Sequence, residues 1–297
     1  VMNLTASIPN HFAAPPNFPL RNGLPMIPLS AELAVADGHT PQCSQSTVAY
    51  EAVSVSDSAT LSVIIPVYNE VNTILDVLNG VISEPSRKEI LIVDDGSTDG
   101  TRQKLQQWQS TCSPTPQTAH VRRVEILWHP VNRGKGAAIR TGLDLAAGEF
   151  VIVQDADLEV SPSEYPWLLQ PLLTGEADFV IGYRTHVAGP HRLAHSTGIK
   201  LLNTLVRVLY GVSVRDEACC FKVLRTHDLR RMKLECSHFE FCPEVVAKAA
   251  RLKLRFAEVP ITYTPRDASG GKKLRLRDGL QALWTLWKYR GWRDLGP

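Results

Sequence analysis

Between residues 61 and 154 the chain alternates short apolar runs with longer stretches of helical periodicity, and this alternation constrains the fold more than any other feature. The runs are Leu61-Ser62-Val63-Ile64-Ile65-Pro66-Val67, residues 89–93, Val121–Trp128 and Phe150-Val151-Ile152-Val153-Gln154. Apolar runs of this length read as buried strands. Between them lie a helix bearing Val71, Ile74, Leu75, Leu78 and Ile82, a second through Leu105 and Trp108, and a third over residues 136–146. Ser97, Thr98 or Asp99 serves as N-cap of the second helix. Strands joined through helices run parallel with right-handed crossovers. The predicted architecture is therefore α/β, a mostly parallel central sheet with helices on both faces. Beyond residue 157 the pattern continues with a helix near 163–173 begun by Ser161-Pro162, a strand at 179–181, helices near 191–210 and 239–251, and a strand at 254–259.

The chain has 297 residues, enough for one large domain with an appendage. A formal net charge of +2, with no helix-turn-helix, zinc-finger or basic-aromatic pattern, argues against nucleic acid as a partner. Residues 1–57 are rich in Pro, Ser, Thr and Ala without sustained periodicity and read as a flexible arm. The α/β domain is expected over residues 58–265 and a basic amphipathic segment over 266–297. Cys43, Cys112, Cys219, Cys220, Cys236 and Cys242 show no C-x-x-C spacing and read as reduced thiols of a cytoplasmic protein. Neither a secretory signal nor a stretch apolar enough to span a bilayer is expected.

The chemistry is concentrated where strands end. Asp155-Ala156-Asp157 follows the fourth strand, so both carboxylates emerge at the carboxyl edge of the sheet, where open parallel sheets bind ligands. Two hard oxygen ligands there suit Mg²⁺ or Mn²⁺ carrying a diphosphate. Asp94 and Asp95 end the second strand and face the same crevice. Alone, Asp-Asp-Gly-Ser is more often a turn with a helix cap. In conjunction with the second pair it suits a nucleotide-sugar site, with carboxylates for base or ribose beside carboxylates for a metal diphosphate. Asn132-Arg133-Gly134-Lys135-Gly136 precedes a helix, where backbone N–H groups and a cation can approach an anion. It lacks the Gly-Lys-Ser/Thr ending of a Walker A motif. A plain helix-entry loop with a solvated Lys135 fits equally well.

Pro66-Val67-Tyr68-Asn69-Glu70 closes the first strand, and the ensemble resembles the family 2 glycosyltransferases of the GT-A, Rossmann-like fold. Pro-x-Tyr-Asn-Glu, Asp-Asp-Gly-Ser, Asn-x-Gly-Lys-Gly and Asp-x-Asp occur in that family's order over residues 60–160. The resemblance implies that Pro66, Tyr68, Glu70, Asp94 and Asp95 border the nucleotide-sugar together with Lys135, Asp155 and Ala156. It also implies that Asp155 and Asp157 bind the metal, Asp157 acting in catalysis. The second half resembles the polyprenyl-phosphate sugar transferase branch, through Gly182-Tyr183-Arg184, Asp216 with Cys220-Phe221-Lys222, Pro243-Glu244, Glu258-Val259-Pro260-Ile261, and Gly271-Lys272-Lys273 before Arg277-Asp278-Gly279. By that resemblance Arg184 and Arg266 face the diphosphate or acceptor phosphate, to which a planar guanidinium pairs bidentately. Lys222 and Lys272 are further acceptor-phosphate candidates. Glu159, Tyr183 and Ala218 depart from the branch's usual glutamine, serine and acidic residue.

The implied reaction is an inverting transfer of a hexose from GDP-mannose or UDP-glucose to a polyprenyl phosphate. An ionised phosphate needs no strong general base, and His191, His195 and His238 read as structural or surface residues. Leu280, Leu283, Trp284 and Trp287 share a helical face flanked by cations, which suits an anionic membrane surface. Docking of these tryptophans on the catalytic domain is the equal alternative. The expected location is peripheral, at the cytosolic face of a membrane. The rival functions are a family 2 transferase acting on a soluble or cell-wall glycan and a sugar-nucleotide-binding regulatory module without turnover.

Overall fold

The computed structural model describes residues 20–21, 24–25, 60–111, 119–185, 192–265 and 276–294. Contacts divide the chain into two units, Val1–Val53 and Ser54–Pro297. In the first, Leu20–Arg21 pairs antiparallel with Leu24–Pro25. The rest of the expected arm lies outside the described residues.

The second unit is built on seven strands: β1 (Leu61–Val67), β2 (Lys88–Asp94), β3 (Val121–Trp128), β4 (Phe150–Val153), β5 (Phe179–Arg184), β6 (Lys222–Arg225) and β7 (Phe256–Ile261). They form one sheet in the order β3-β2-β1-β4-β6-β5-β7. Every residue of β1, β2 and β4 is buried, as strands covered on both faces must be. The helices are α1 (Ile74–Ser83), α2 (Thr101–Thr111), α3 (Lys135–Leu145), α4 (Tyr165–Leu173), α5 (Arg192–Tyr210), α6 (Thr226–Arg231), α7 (Phe241–Arg251) and α8 (Leu276–Lys288). Val71, expected inside the first helix, precedes it, because its N–H donates to Asp99 Oδ2 (3.1 Å) instead. Of the three expected caps of α2, Asp99 accepts the Thr101 N–H (3.0 Å).

Two features of the sheet shape the site. The ladder between β1 and β4 ends at Ile64↔Val153, and the Gln154 N–H still reaches the Ile64 carbonyl (2.9 Å). Pro66 is two residues on and turned to the same side, and it has no N–H to offer β4. The strands part there, and the Asp155-Ala156-Asp157 loop leaves from the gap. The second feature corrects the expected uninterrupted alternation. β6 lies antiparallel between β4 and β5, with pairs Ile152↔Val223 and Val180↔Val223. A four-residue strand that begins with a lysine has no apolar run to announce it.

The C-terminal helix is part of the second unit. α8 and the turn that follows it pack on α5 and α7, burying Thr285 and Leu286 of the helix and Tyr289 of the turn. The Tyr210 hydroxyl donates to the Leu286 carbonyl, and Lys288 Nζ pairs with Glu235 (2.7 Å). Leu280, Trp284 and Trp287 point outward, at 62%, 63% and 46% exposure. Of the expected apolar face, only Leu283 packs against the core. Among the described residues, no helix is long and apolar enough to cross a membrane.

Candidate functional site

Loops from three strand ends are joined at the carboxyl edge of the sheet. After β1, Asn69 takes a left-handed φ of 55°, which asparagine tolerates better than most residues. Its N–H donates to Ser97 Oγ (3.0 Å) and its Oδ1 accepts the Thr98 N–H (2.8 Å). The Glu70 N–H donates to Thr101 Oγ1 (2.9 Å). These bonds fasten the Tyr68–Glu70 stretch to the turn after β2. The third loop joins through Thr73, whose hydroxyl donates to the Ala156 carbonyl (2.7 Å) and lies 3.1 Å from Glu70 Oε2. The Asp157 carboxylate accepts the Glu159 N–H (3.1 Å).

The Asp94 and Asp95 carboxylates are both buried, and each has a task within the fold. Asp94 accepts from Arg102 Nε (2.8 Å), while Arg102 Nη2 also reaches the His129 carbonyl (2.6 Å) and the guanidinium stacks over Trp128. Asp95 Oδ1 pairs with His129 Nδ1 (2.6 Å) and accepts the Arg133 N–H (2.9 Å), and Oδ2 accepts the Gly134 N–H (2.7 Å). Asp95 therefore braces the loop that enters α3. On the other side of that loop, the Gly136 and Ala137 N–H groups donate to the His238 and Ser237 carbonyls (2.9 and 3.0 Å). The expectation that this loop offers its backbone to an anion is corrected: these four amides are bound within the protein. Gly134 is required here. Its φ is +95°, and a Cβ would lie 2.2 Å from both the Ser237 carbonyl oxygen and His238 Nδ1.

The fixed loop presents one side chain to the site. Lys135 Nζ lies 2.5 Å from Asp155 Oδ1. Burial alone would lower the lysine pKa, but the Asp155 carboxylate overrides it and holds the ammonium above its ordinary value. Lys135 is thus an ion-paired group facing the Asp-x-Asp loop, rather than a solvated one.

On the far side, Arg184 ends β5 with its Nε and Nη2 on the two oxygens of Asp216 (2.6 and 2.7 Å). Its guanidinium stacks on Tyr263, whose hydroxyl donates to Glu159 Oε2 (3.0 Å). The fork expected to clasp phosphate is closed on Asp216 instead. Lys222 is a further correction as an acceptor-phosphate candidate. It is 1% exposed, and its ammonium donates to the carbonyls of Glu217 (2.7 Å) and Cys219, bracing the turn before β6. Beside it, Glu217 is 0% exposed and neither carboxylate oxygen has a hydrogen-bond partner. Burial pushes that carboxyl up to about 7 from an ordinary 4.5, against the pull of Lys222. Arg266 and Lys272 lie outside the described residues. Cys219, Cys220, Cys236 and Cys242 are free thiols.

Arg102, Thr73 and His129 escaped the sequence reading, and Asp216 entered it only as part of a motif. Arg102 lies in the first turn of a helix already expected and His129 directly follows an expected strand, so position along the elements was the available signal. Among the described residues, no group of three His, Cys, Asp or Glu side chains is arranged to hold a metal. A cation on Asp155 and Asp157 would take its remaining ligands from phosphate and water, as Mg²⁺ commonly does.

The family model described as Glycosyl transferase family 2 matches residues 62–232, which span β1 to the end of α6. The chain belongs to glycosyltransferase family 2. Among curated relatives, the undecaprenyl-phosphate mannosyltransferase of Micrococcus luteus is 30% identical, over 70% of this chain and 85% of its own. The dolichyl-phosphate beta-glucosyltransferase of Saccharomyces cerevisiae is 29% identical, over 70% and 68%. The dodecaprenyl-phosphate galacturonate synthase of Rhizobium johnstonii is 26% identical over 71% of this chain, and the match spans 60% of that relative's length. A crystal structure of glucosyl-3-phosphoglycerate synthase from Mycobacterium tuberculosis, in complex with Mn²⁺ and uridine-diphosphate-glucose, superposes with a TM-score of 0.57. It is 23% identical and the superposition covers 80% of this glycosyltransferase and 81% of that chain. The fold is GT-A.

Proposed function

We propose that this family 2 enzyme transfers a hexose from GDP-mannose or UDP-glucose to a polyprenyl phosphate at a membrane surface, with inversion and with Mg²⁺ or Mn²⁺ as cofactor. The observation that carries the reading is the meeting of the β1, β2 and β4 loops around Asp155 and Asp157, through Thr73 to the Ala156 carbonyl and through Asn69 to the turn after β2. The residues fit a metal: Asp155 already holds a cationic group, the Lys135 ammonium, and both members of the pair are hard oxygen donors. Bound there, a divalent cation would neutralise charge on the departing nucleoside diphosphate.

The chain's own residues do the rest. Pro66, Tyr68, Glu70 and Asp94 form the nucleotide side, with Asp94 fixed by Arg102. Asp95 holds the loop that carries Lys135. Arg184, paired with Asp216 and stacked on Tyr263, borders the far side of the site and would meet phosphate on release from Asp216. Arg266 and Lys272, outside the described residues, are assigned to the acceptor phosphate on the family resemblance alone. A phosphate oxygen attacks the anomeric carbon in ionised form, so no side chain has to remove a proton. Three of the relatives are named for polyprenyl-phosphate acceptors, and the outward Leu280, Trp284 and Trp287 with nearby Lys288, Arg290 and Arg293 suit an anionic bilayer.

The test is to incubate the protein with labelled nucleotide-sugars and polyprenyl phosphate in vesicles, with and without chelator. Label should enter the lipid phase from one donor and only with metal. Transfer to a water-soluble glycan at far higher rates would overturn the acceptor, and full activity in excess chelator would overturn the metal.

A further inference from the structure

Lys135 reaches the site from backbone that has little freedom. Asp95 fixes the N–H groups of Arg133 and Gly134, the His238 and Ser237 carbonyls fix those of Gly136 and Ala137, and Gly134 has no space around it. The mobile part is the side chain, and it ends on Asp155 Oδ1 at 2.5 Å. Carboxylate oxygens hold Mg²⁺ at about 2.0–2.1 Å. An ammonium on the same oxygen takes the same space, and two positive charges at that separation repel strongly. The ammonium and a divalent cation are alternative occupants.

We propose that Lys135 is an internal stand-in for the metal: it neutralises Asp155 while the donor is absent and passes to the diphosphate when metal and nucleotide arrive together. The inference rests on the reading of Asp155 and Asp157 as the metal pair. Metal alone must displace the ammonium from the Asp155 carboxylate and gives it nothing in exchange. A nucleoside diphosphate supplies the new anionic partner. Metal and nucleotide therefore tighten each other's binding by the same factor. Lys135 is a positioning residue that discourages the site from loading metal without donor.

The experiment is a titration of the full chain with Mn²⁺, read by electron paramagnetic resonance of the free ion, alone and with UDP or GDP. In the wild type, Mn²⁺ alone binds weakly and the matching nucleotide tightens it by about fivefold or more. Lys135→Gln should bind Mn²⁺ alone about fivefold or more tightly than the wild type, while the gain from nucleotide shrinks to what the diphosphate supplies as a metal ligand in its own right. Lys135→Met, also uncharged, should behave likewise. Mn²⁺ affinity without nucleotide that is unchanged or weaker in both variants, while Asp155→Asn abolishes it, would leave the metal site standing and overturn the role of Lys135. Wild-type Mn²⁺ binding in both Asp155→Asn and Asp157→Asn would overturn the metal site and this inference with it.

Discussion

Replacing Glu217 with glutamine should stabilise the protein, and by an amount that depends on pH. Glu217 is fully buried, neither oxygen has a partner, and the ammonium of Lys222, whose charge acts on the carboxylate, is turned to the carbonyls of Glu217 and Cys219. Its carboxyl is raised to about 7 from an ordinary 4.5. Between those values the unfolded chain has released a proton that the folded chain still holds, so stability falls as pH rises through the window. At about 1.4 kcal/mol per pH unit, the cost reaches roughly 3 kcal/mol above pH 7 and vanishes below 4.5. Glutamine keeps the shape and cannot ionise. Urea denaturation of wild type and Glu217→Gln from pH 4.5 to 8 should give curves that coincide at the acid end and separate by roughly 3 kcal/mol at the alkaline end, with the variant more stable. Other titrating groups are common to both proteins and cancel. A difference that stays constant with pH, or a variant less stable at pH 8, would refute the argument.

Asp157→Asn should lower transfer by about a hundredfold or more with an unchanged melting temperature, as checked by initial rates beside calorimetry. Gly134→Ala should destabilise the fold by about 3 kcal/mol or more, because the new methyl meets Ser237 and His238 and the residue must keep a positive φ; urea denaturation measures it. Joint replacement of Trp284 and Trp287 by alanine should weaken binding to anionic vesicles by about tenfold or more, while slow hydrolysis of the nucleotide-sugar persists. Wild-type vesicle binding should itself weaken with salt, since charge is screened over about 8–10 Å near physiological ionic strength; co-sedimentation reads both effects.

Much of the candidate site was legible because its residues sit at element ends. Asp155, Asp157, Asp94, Tyr68 and Glu70 each follow an apolar run, and the carboxyl ends of parallel strands share one edge whatever the details of packing. What each side chain touches was not legible in the same way. Asp95 looked like a nucleotide contact and proves to brace the Lys135 loop, 39 residues away at Gly134. Arg184 looked like a phosphate fork and is held by Asp216, 32 residues away. Such partners lie on neighbouring strands and loops, and no local pattern records which of several acceptors a guanidinium or an amide will meet.

The sequence alone determined the parallel layers, the order of the strand-end motifs and the family, because periodicity of burial and spacing along the chain are local properties. The tertiary structure decided the insertion of β6 against the parallel direction, the outward turn of Trp284 and Trp287, and the closing of Lys135 on Asp155. The physical reason is common to all three. Each depends on which surface, hydrogen-bonding edge or charge arrives from a distant part of the chain to compete for the same partner. That competition is settled only when the elements pack together.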